Sequence, residues 1–365
     1  VAFSLPYSRL TIVVYAGSQR NEFELDVIVL SRDRNQELIN SIAAWMEQPY
    51  RFIILHNSQK PLDLGDITEN IVYRHLPSLN YGERAKVSTE LLKSPFSMIL
   101  ADDERLVSSG INSLIRILKD SVELASVGGK VLGVYQYGEL IAASFAYQHM
   151  NGYKNLDLDV RTRLRRHLNQ EISGGFAIGG LYRIMRSEYM EKILNLLAKS
   201  AFIQKETPFV YEVVGEFAVA SIGPTATYDE IYWIRNWQTR MVRQKDWNRN
   251  HGFKEWWDNS KNASDKKQLI LILSEFANQA EAEIENCIEK SLNLKAPYKD
   301  KRQISQLETK IRASIRGFLK QLGLTLQMPI ELKELLTTSN ISLSEKSCQE
   351  IIDTCAEMLT MRSNY

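Results

Sequence analysis

Three consecutive carboxylates, Asp102, Asp103 and Glu104, follow directly on the apolar run Met98-Ile99-Leu100-Ala101. Isolated charges are costly to bury, so three acids at a strand exit point to a cation or to a solvated rim. In open α/β sheets ligands collect at the carboxyl ends of the strands, where these acids would lie. Metal-assisted handling of a diphosphate is the chemistry they would support, with a solvated acidic loop as the alternative.

The elements that must carry them alternate. Leu25–Leu30 (LDVIVL) reads as a buried strand left through the turn Ser31-Arg32-Asp33-Arg34-Asn35. Helical spacing through Leu38, Ile39, Ile42 and Trp45 predicts a helix over 36–47, ended by Pro49. Strands are predicted at 51–56, 70–75 and 96–101, helices at 83–93, 108–119 and 187–197. Ser108 or Ser109 is the expected N-cap after the acids. Further strands are expected at 10–15 and 125–135, and an irregular stretch near 150–172. The pattern implies an α/β fold, a Rossmann-type, mostly parallel sheet flanked by helices with right-handed crossovers.

From Lys254 the chain becomes helical, with amphipathic stretches at 266–292, 302–322, 330–336 and 344–359. Two domains follow, an α/β domain over 1–250 and a helical C-terminal domain over 251–365. Phe253, Trp256 and Trp257 would form a seam between them.

A length of 365 residues suits two domains, and 24% charged with 44% hydrophobic residues suits an ordinary globular protein. A net charge of +1 argues against a broad nucleic-acid interface. Val1–Val14 lacks the basic start of a signal peptide, and the missing initiator methionine suggests a piece of a longer protein. Cys287, Cys348 and Cys355 are odd in number and form no CxxC pair, so neither a disulfide framework nor a zinc site is expected. The five histidines show no HxxxH or HExxH spacing. A cytoplasmic setting is expected, with peripheral contact at a membrane left open.

Several segments, in order, resemble the GT-A-type glycosyltransferases, close to the large inverting family 2-like group that uses sugar nucleotides. The resemblance spans Leu25 to Trp237. Asp26–Arg34 is similar to the opening strand and its turn, and Ile53–Ser58 to the second strand, whose end contacts the nucleobase. Tyr81–Lys86 is similar to the helix start before the metal motif, and Leu100–Glu104 to the DxD motif itself. Gly179–Arg186 resembles the acceptor-side strand, Tyr211–Glu216 the helix opened by the catalytic acid, and Ile231–Arg235 a late segment bearing a basic residue.

The resemblance implies a metal-dependent transfer of a sugar from a nucleotide-sugar to a glycan or lipid-linked acceptor hydroxyl, with inversion. Asp102 and Glu104 would hold Mn²⁺ or Mg²⁺ across the diphosphate. Ser31, Arg34, Asn57, Arg84, Lys86, Asp102 and Arg235 would face the nucleotide. Arg84 and Lys86 lie two apart on a helix, so only one of them should point inward. Glu212 is the candidate base, with Glu216, one turn on, as its reserve. Gly179 and Gly180 would line the acceptor side. Arg161–His167, with four arginines in seven residues, is either a contact for an anionic acceptor or a solvated helix face.

The chain departs from the family pattern at three points. His56 stands where the second strand commonly ends in Asp, Glu104 closes the metal motif in place of Asp, and Val213 follows Glu212 where an acid is usual. Two other functions stay open. A nucleotidyltransferase would carry a glycine-rich loop where Ser31–Arg34 stands. A catalytically inert scaffold that binds a glycan or partner, with the helical part able to dimerise, is favoured by the departures and opposed by the retained acids.

Overall fold

The computed structural model describes residues 23–137, 140–168, 180–203, 210–237, 253–293, 331–339, 341 and 343–360. The expected strand at 10–15, the expected helix at 302–322, and the glycines Gly174, Gly175 and Gly179 lie outside the described residues.

Four parallel strands form one half of the sheet: β1 (Leu25–Arg32), β2 (Arg51–Asn57), β3 (Ile71–His75) and β4 (Phe96–Leu100). Their cores are almost continuously apolar because helices cover both faces. The chain steps outward from β1 to β2 and β3, then returns to place β4 on the other side of β1. That reversal opens a crevice at the carboxyl ends of β1 and β4, the usual ligand position in such sheets. The parallel registers Ser31↔His56, His56↔His75 and Val29↔Leu100 bring the four strand ends to one rim.

Beyond β4 the sheet continues through β9 (Ile184–Arg186), antiparallel, to β6 (Ser126–Tyr137) and β10 (Thr225–Asn236), which are again parallel to β4. Short β5 (Arg105–Leu106) and β8 (Lys154–Asn155) pair with β10, and β7 (Leu140–Ala146) pairs with β6. This is the mostly parallel α/β layout that the alternation of strand and helix segments implied. The strand Thr225–Asn236 has no counterpart among the expected strands. Asp229 and Glu230 interrupt its apolar alternation, and the register with β6 shifts there, the mark of a bulge.

Helix α1 (Asn35–Trp45) buries Leu38, Ser41, Ile42 and Trp45, and Trp45 stacks on Phe52 of β2 with centroids 4.9 Å apart. Helix α2 (Tyr81–Thr89) opens with a capping box from Asn80 and Glu83 and stops before the predicted 93, because Lys93 and Ser94 turn their amides to buried Asp26. Helix α3 (Ser108–Asp120) has no side-chain cap of its own. The expected serine cap is replaced by Glu350, whose carboxylate accepts from the amides of Ser108 at 2.5 Å and Ser109 at 3.3 Å.

Helices α4 (Val160–Leu168), α5 (Ser187–Lys199) and α6 (Val210–Ile222) cover one face of the sheet. Helix α7 (Phe253–Asp258) joins them through Phe253, Trp256 and Trp257. The long helix predicted over 266–292 is two, α8 (Ala263–Ala277) and α9 (Glu281–Asn293), broken where Asn278 turns left-handed at φ 51°. Both pack in the same apolar cluster as α5 and α6. Helices α10 (Leu332–Thr338) and α11 (Glu345–Thr360) bury Leu332, Leu336, Ile351 and Cys355 with Leu132, Val134 and Ile234 of the sheet. None of the described helices is long and apolar enough to cross a membrane.

Candidate functional site

The acidic turn after β4 is held from below by α1. Ser41 donates to the Asp102 carbonyl at 2.8 Å and accepts from Arg105 at 2.7 Å, while Arg105 also reaches the Asn40 carbonyl. Its three carboxylates then diverge. Asp102 accepts from the Ser31 hydroxyl at 2.7 Å and from Arg34 Nη1 at 2.6 Å. The same guanidinium grips Asp103 through both Nη atoms. Glu104 turns the other way, to Arg235 Nε at 2.9 Å.

Burial governs the electrostatics. It pushes the Asp102 carboxyl up to about 6, against the pull of Arg34. It pushes Glu104 up to about 7, against the pull of Arg235. Burial also disfavours the charge on Arg34 and Arg235, yet the neighbouring carboxylates more than offset it and both arginines end above their ordinary value.

Two left-handed residues aim these groups. Asp33 (φ 52°) bends the turn that delivers Arg34, and Tyr147 (φ 50°) presents its hydroxyl to Arg235 Nη1. Left-handed backbone is uncommon for a residue with a side chain, and costs least at Asp and Asn. The turn after β1 thus does without glycine.

An aromatic wall closes the other side. Trp233 stacks on Tyr182 at 4.7 Å and on Tyr147 at 5.8 Å, and Arg235 lies over both the Tyr147 and Trp233 rings. Tyr211, at the start of α6, stacks on Tyr81 of α2 at 4.5 Å. The Tyr182 hydroxyl is driven well above its usual range by burial first, then by the fields of Tyr211, Tyr147, Glu104 and Glu212. Glu212 of α6 is half-buried, and its field and that of Glu104 both reach Tyr182.

Along the rim, Arg84 is buried and donates to the carbonyls of Ser31 at 2.5 Å and Leu55 at 2.9 Å, tying the ends of β1 and β2 together. Burial lowers its pKa to about 10. Lys86 is turned outward, exposed, and donates to Asn195 of α5. Asn57 donates to the Leu79 carbonyl at 2.7 Å. His56 is buried between Asn35 Oδ1 at 3.0 Å and the Tyr73 hydroxyl at 2.9 Å, and burial lowers its pKa to about 4, so it is neutral near pH 7.

Glu216 lies deeper than Glu212 in the fold. It is 2% exposed and accepts from the Gly180 amide at 2.7 Å. Its second oxygen is 2.9 Å from His167 Nε2, and His167 Nδ1 is 2.7 Å from the Tyr153 hydroxyl. A Cβ at Gly180 would stand 2.3 Å from that second Glu216 oxygen, so the glycine is what lets the carboxylate approach. The arginine-rich helix α4 divides likewise. Arg163 is buried and caps α6 through the Ala220 and Ser221 carbonyls, Arg165 pairs with Glu283, and Arg161 and Arg166 are exposed.

Sequence reasoning missed Tyr147, Tyr182, Asp103 as an arginine partner, and His167. Only His167 carried a signal, since it ends a run whose spacing puts Leu164 and His167 on one helix face.

Carboxylate oxygens are the donors that Mn²⁺ and Mg²⁺ prefer, and Glu104 Oε2 is buried with no hydrogen-bond partner. The donor chemistry therefore fits a divalent cation. Among the described residues no three His, Cys, Asp or Glu side chains yet converge on one point, because each acid of the turn is drawn onto an arginine.

No family model matches the chain, and no curated protein sequence does. Among solved structures it is similar to S. aureus TarS 1–349, at 12% identity and a TM-score of 0.44, over 73% of this chain and 71% of that one. The same TarS fragment in complex with UDP-GlcNAc matches at 11% identity and a TM-score of 0.44, over 74% and 72%. A further structure of S. aureus TarS matches at 11% identity and a TM-score of 0.38, over 75% of this chain and 55% of that one. Agreement this loose assigns no residue a role.

Proposed function

We propose that the chain is a glycosyltransferase that moves a sugar from a nucleotide-sugar to an acceptor hydroxyl, with inversion. The observation that carries the reading is the buried acidic turn at the sheet's switch point, whose carboxylates pair with Arg34 on one side and, beside the wall of Tyr147, Tyr182 and Trp233, with Arg235 on the other. Ser31, Arg34, Asn57 and Arg235 face the nucleotide, while Arg84 holds the ends of β1 and β2, which carry Ser31 and Asn57. Asp102 and Glu104 are the residues that would hold Mn²⁺ or Mg²⁺, which when bound would supply positive charge to the diphosphate leaving group.

Tyr182 and Trp233 exclude water from one side of the site, which strengthens the charge-assisted contacts there. Glu212 takes the acceptor proton as the acceptor oxygen bonds to the anomeric carbon and the bond to the nucleoside diphosphate breaks. Glu216 acts as a positioning residue through Gly180, on the acceptor side. We assign residues 1–250 to the transferase domain and 251–365 to a C-terminal helical part that supports it, the acceptor being a glycan or a lipid-linked glycan.

An inert scaffold is the second reading, favoured by the engagement of all three acids with arginines. Thermal shift separates the two. Nucleoside diphosphates and nucleotide-sugars, with and without Mn²⁺, are scanned on wild type and Asp102→Asn. A ligand that binds only the native state raises the melting temperature. A shift with one base, lost in the variant, supports transfer, and no shift in folded protein supports the scaffold.

A further inference from the structure

Arg183, just before β9, is 2% exposed, and its Nη atoms donate to the Ala226 carbonyl at 2.8 Å and the Thr227 hydroxyl at 2.6 Å. Among the described residues no carboxylate pairs with it. Burial lowers its pKa, and the fields of Tyr232, Tyr153 and Glu216 do not restore it. Arg84 and Arg163 are also buried on carbonyls, but each directs its Nε to one, Arg84 to Asn80 at 3.4 Å and Arg163 to Ala220 at 2.9 Å. The Nε of Arg183 is buried with no hydrogen-bond partner. A donor left unmatched on a buried charged group destabilises the fold unless something meets it.

That guanidinium lines a small cavity between β6 and β10. Glycines in β6 keep it open: a Cβ at Gly128 would stand 3.3 Å from Arg183 Cγ and Nη1, and one at Gly129 would stand 2.2 Å from the Glu230 carbonyl oxygen. The bulge of β10 between Thr227 and Ile231 lies opposite. The cavity measures about 10 Å³, room for one water-sized group. Thr227 lines it too, and since its oxygen already accepts from Arg183, its hydroxyl proton is left to donate. No Asp or Glu is among the described residues that line the cavity. Tyr147 and Trp233 border it and also form the aromatic wall under Arg235, so the cavity adjoins the acidic site.

We propose that the cavity seats one oxygen of a carboxylate, and that the sugar handled at this site is a uronic acid. The inference rests on the proposed function and names a substrate class for it. Arg183 Nε and the Thr227 hydroxyl donate to the carboxylate, whose charge is the anion that the buried guanidinium lacks. Hydrogen bonds in which both groups are ionised are the stronger kind. The hydroxymethyl group of a neutral sugar could accept the same bonds but brings no charge. A phosphate group presents a tetrahedral tip, wider than the edge of a planar carboxylate. The carboxylate can arrive on the donor or on the acceptor, and the test separates the two.

The test is calorimetry on the full chain, with circular dichroism to verify folding. One series compares uridine and guanosine diphosphate hexoses with the corresponding nucleotide uronates, in Mn²⁺. The other compares free glucose and galactose with glucuronate and galacturonate, in the presence of Mn²⁺ and a nucleoside diphosphate. Sodium chloride alone is the control for a small free anion. In wild type, one uronate is expected to bind at least about tenfold more tightly than its neutral counterpart, the scale of a charged hydrogen bond. A preference in the first series puts the carboxylate on the transferred sugar, and one in the second puts it on the acceptor. Folded Arg183→Gln should lose the preference while keeping its affinity for the neutral counterpart. Arg116→Gln, exposed on α3, should keep the preference.

A preference below about twofold in both series overturns the inference. If neutral nucleotide-sugars still bind, the proposed function stands. Chloride that binds as tightly as the uronates marks the cavity as a seat for any small anion, which also overturns it. So does a preference that folded Arg183→Gln retains. If Arg183→Gln fails to fold, Thr227→Val is read in its place, with the preference expected to drop and an unchanged preference overturning the inference. If free uronates bind with the expected preference and no nucleotide-sugar does, the inference stands and the proposed function falls. If folded wild type binds neither series, both fall together.

Discussion

Replacing Gly180 by alanine tests the close approach of Glu216 to Gly180 through a single methyl group. The new Cβ would stand 2.3 Å from one Glu216 oxygen and 3.1 Å from its carboxyl carbon, so the carboxylate must withdraw. It has nowhere inexpensive to go, because it is 2% exposed and bound to the Gly180 amide at 2.7 Å and to His167 at 2.9 Å. Losing one hydrogen bond to a charged group costs about 1.5–3 kcal/mol, and overpacking adds about 1 kcal/mol or more. Gly180→Ala should therefore destabilise the fold by about 2–4 kcal/mol in urea titrations. The cost should depend on Glu216: in a Glu216→Ala background the same glycine substitution should cost under about 1 kcal/mol, giving a coupling energy above about 1 kcal/mol. Additive effects of the two substitutions, or a cost below about 0.5 kcal/mol for Gly180→Ala alone, would refute the reasoning.

Three further predictions concern the frame around the site. His56 has its pKa lowered from 6.5 to about 4, so as pH falls the unfolded chain takes up the proton first. Its contribution is fully present above 6.5 and lost as pH falls through 4, by up to about 3 kcal/mol, and His56→Gln should remove that part of the urea-measured pH profile. Glu350→Ala should cost about 1–2 kcal/mol in thermal or urea unfolding, since it strips the amides of Ser108 and Ser109 of the carboxylate that caps α3. Arg84→Lys should cost about 2–4 kcal/mol in urea titrations, because the shorter lysine does not carry a donor to the point from which Nη1 serves the buried carbonyls of both Ser31 and Leu55.

Much of the frame was legible because its signals are local. LDVIVL and RFIILH are apolar runs too short for helices and bounded by turn residues, and both are strands. The acids at 102–104 stood out because charge directly after a buried strand has few structural explanations. What was not legible depends on distant partners. Glu350 caps a helix more than two hundred residues away, and no local pattern announces that. Asp33 takes the left-handed turn that glycine usually provides, so the absence of glycine said little about the turn. The break at Asn278 lies inside an apolar period that continues on both sides, and it is set by one residue's backbone. Arg84 and Lys86 could be separated by helical geometry but not assigned, since the inward one is chosen by where β1 ends.

The most direct test of the central claim is hydrogen–deuterium exchange with and without the nucleotide-sugar and Mn²⁺ that give the thermal shift. Slowed exchange in peptides covering 31–36, 100–106 and 231–237, with 154–168 unchanged, is the predicted result. Protection confined to other segments, or none at saturating ligand, would contradict a nucleotide-sugar site at the acidic turn.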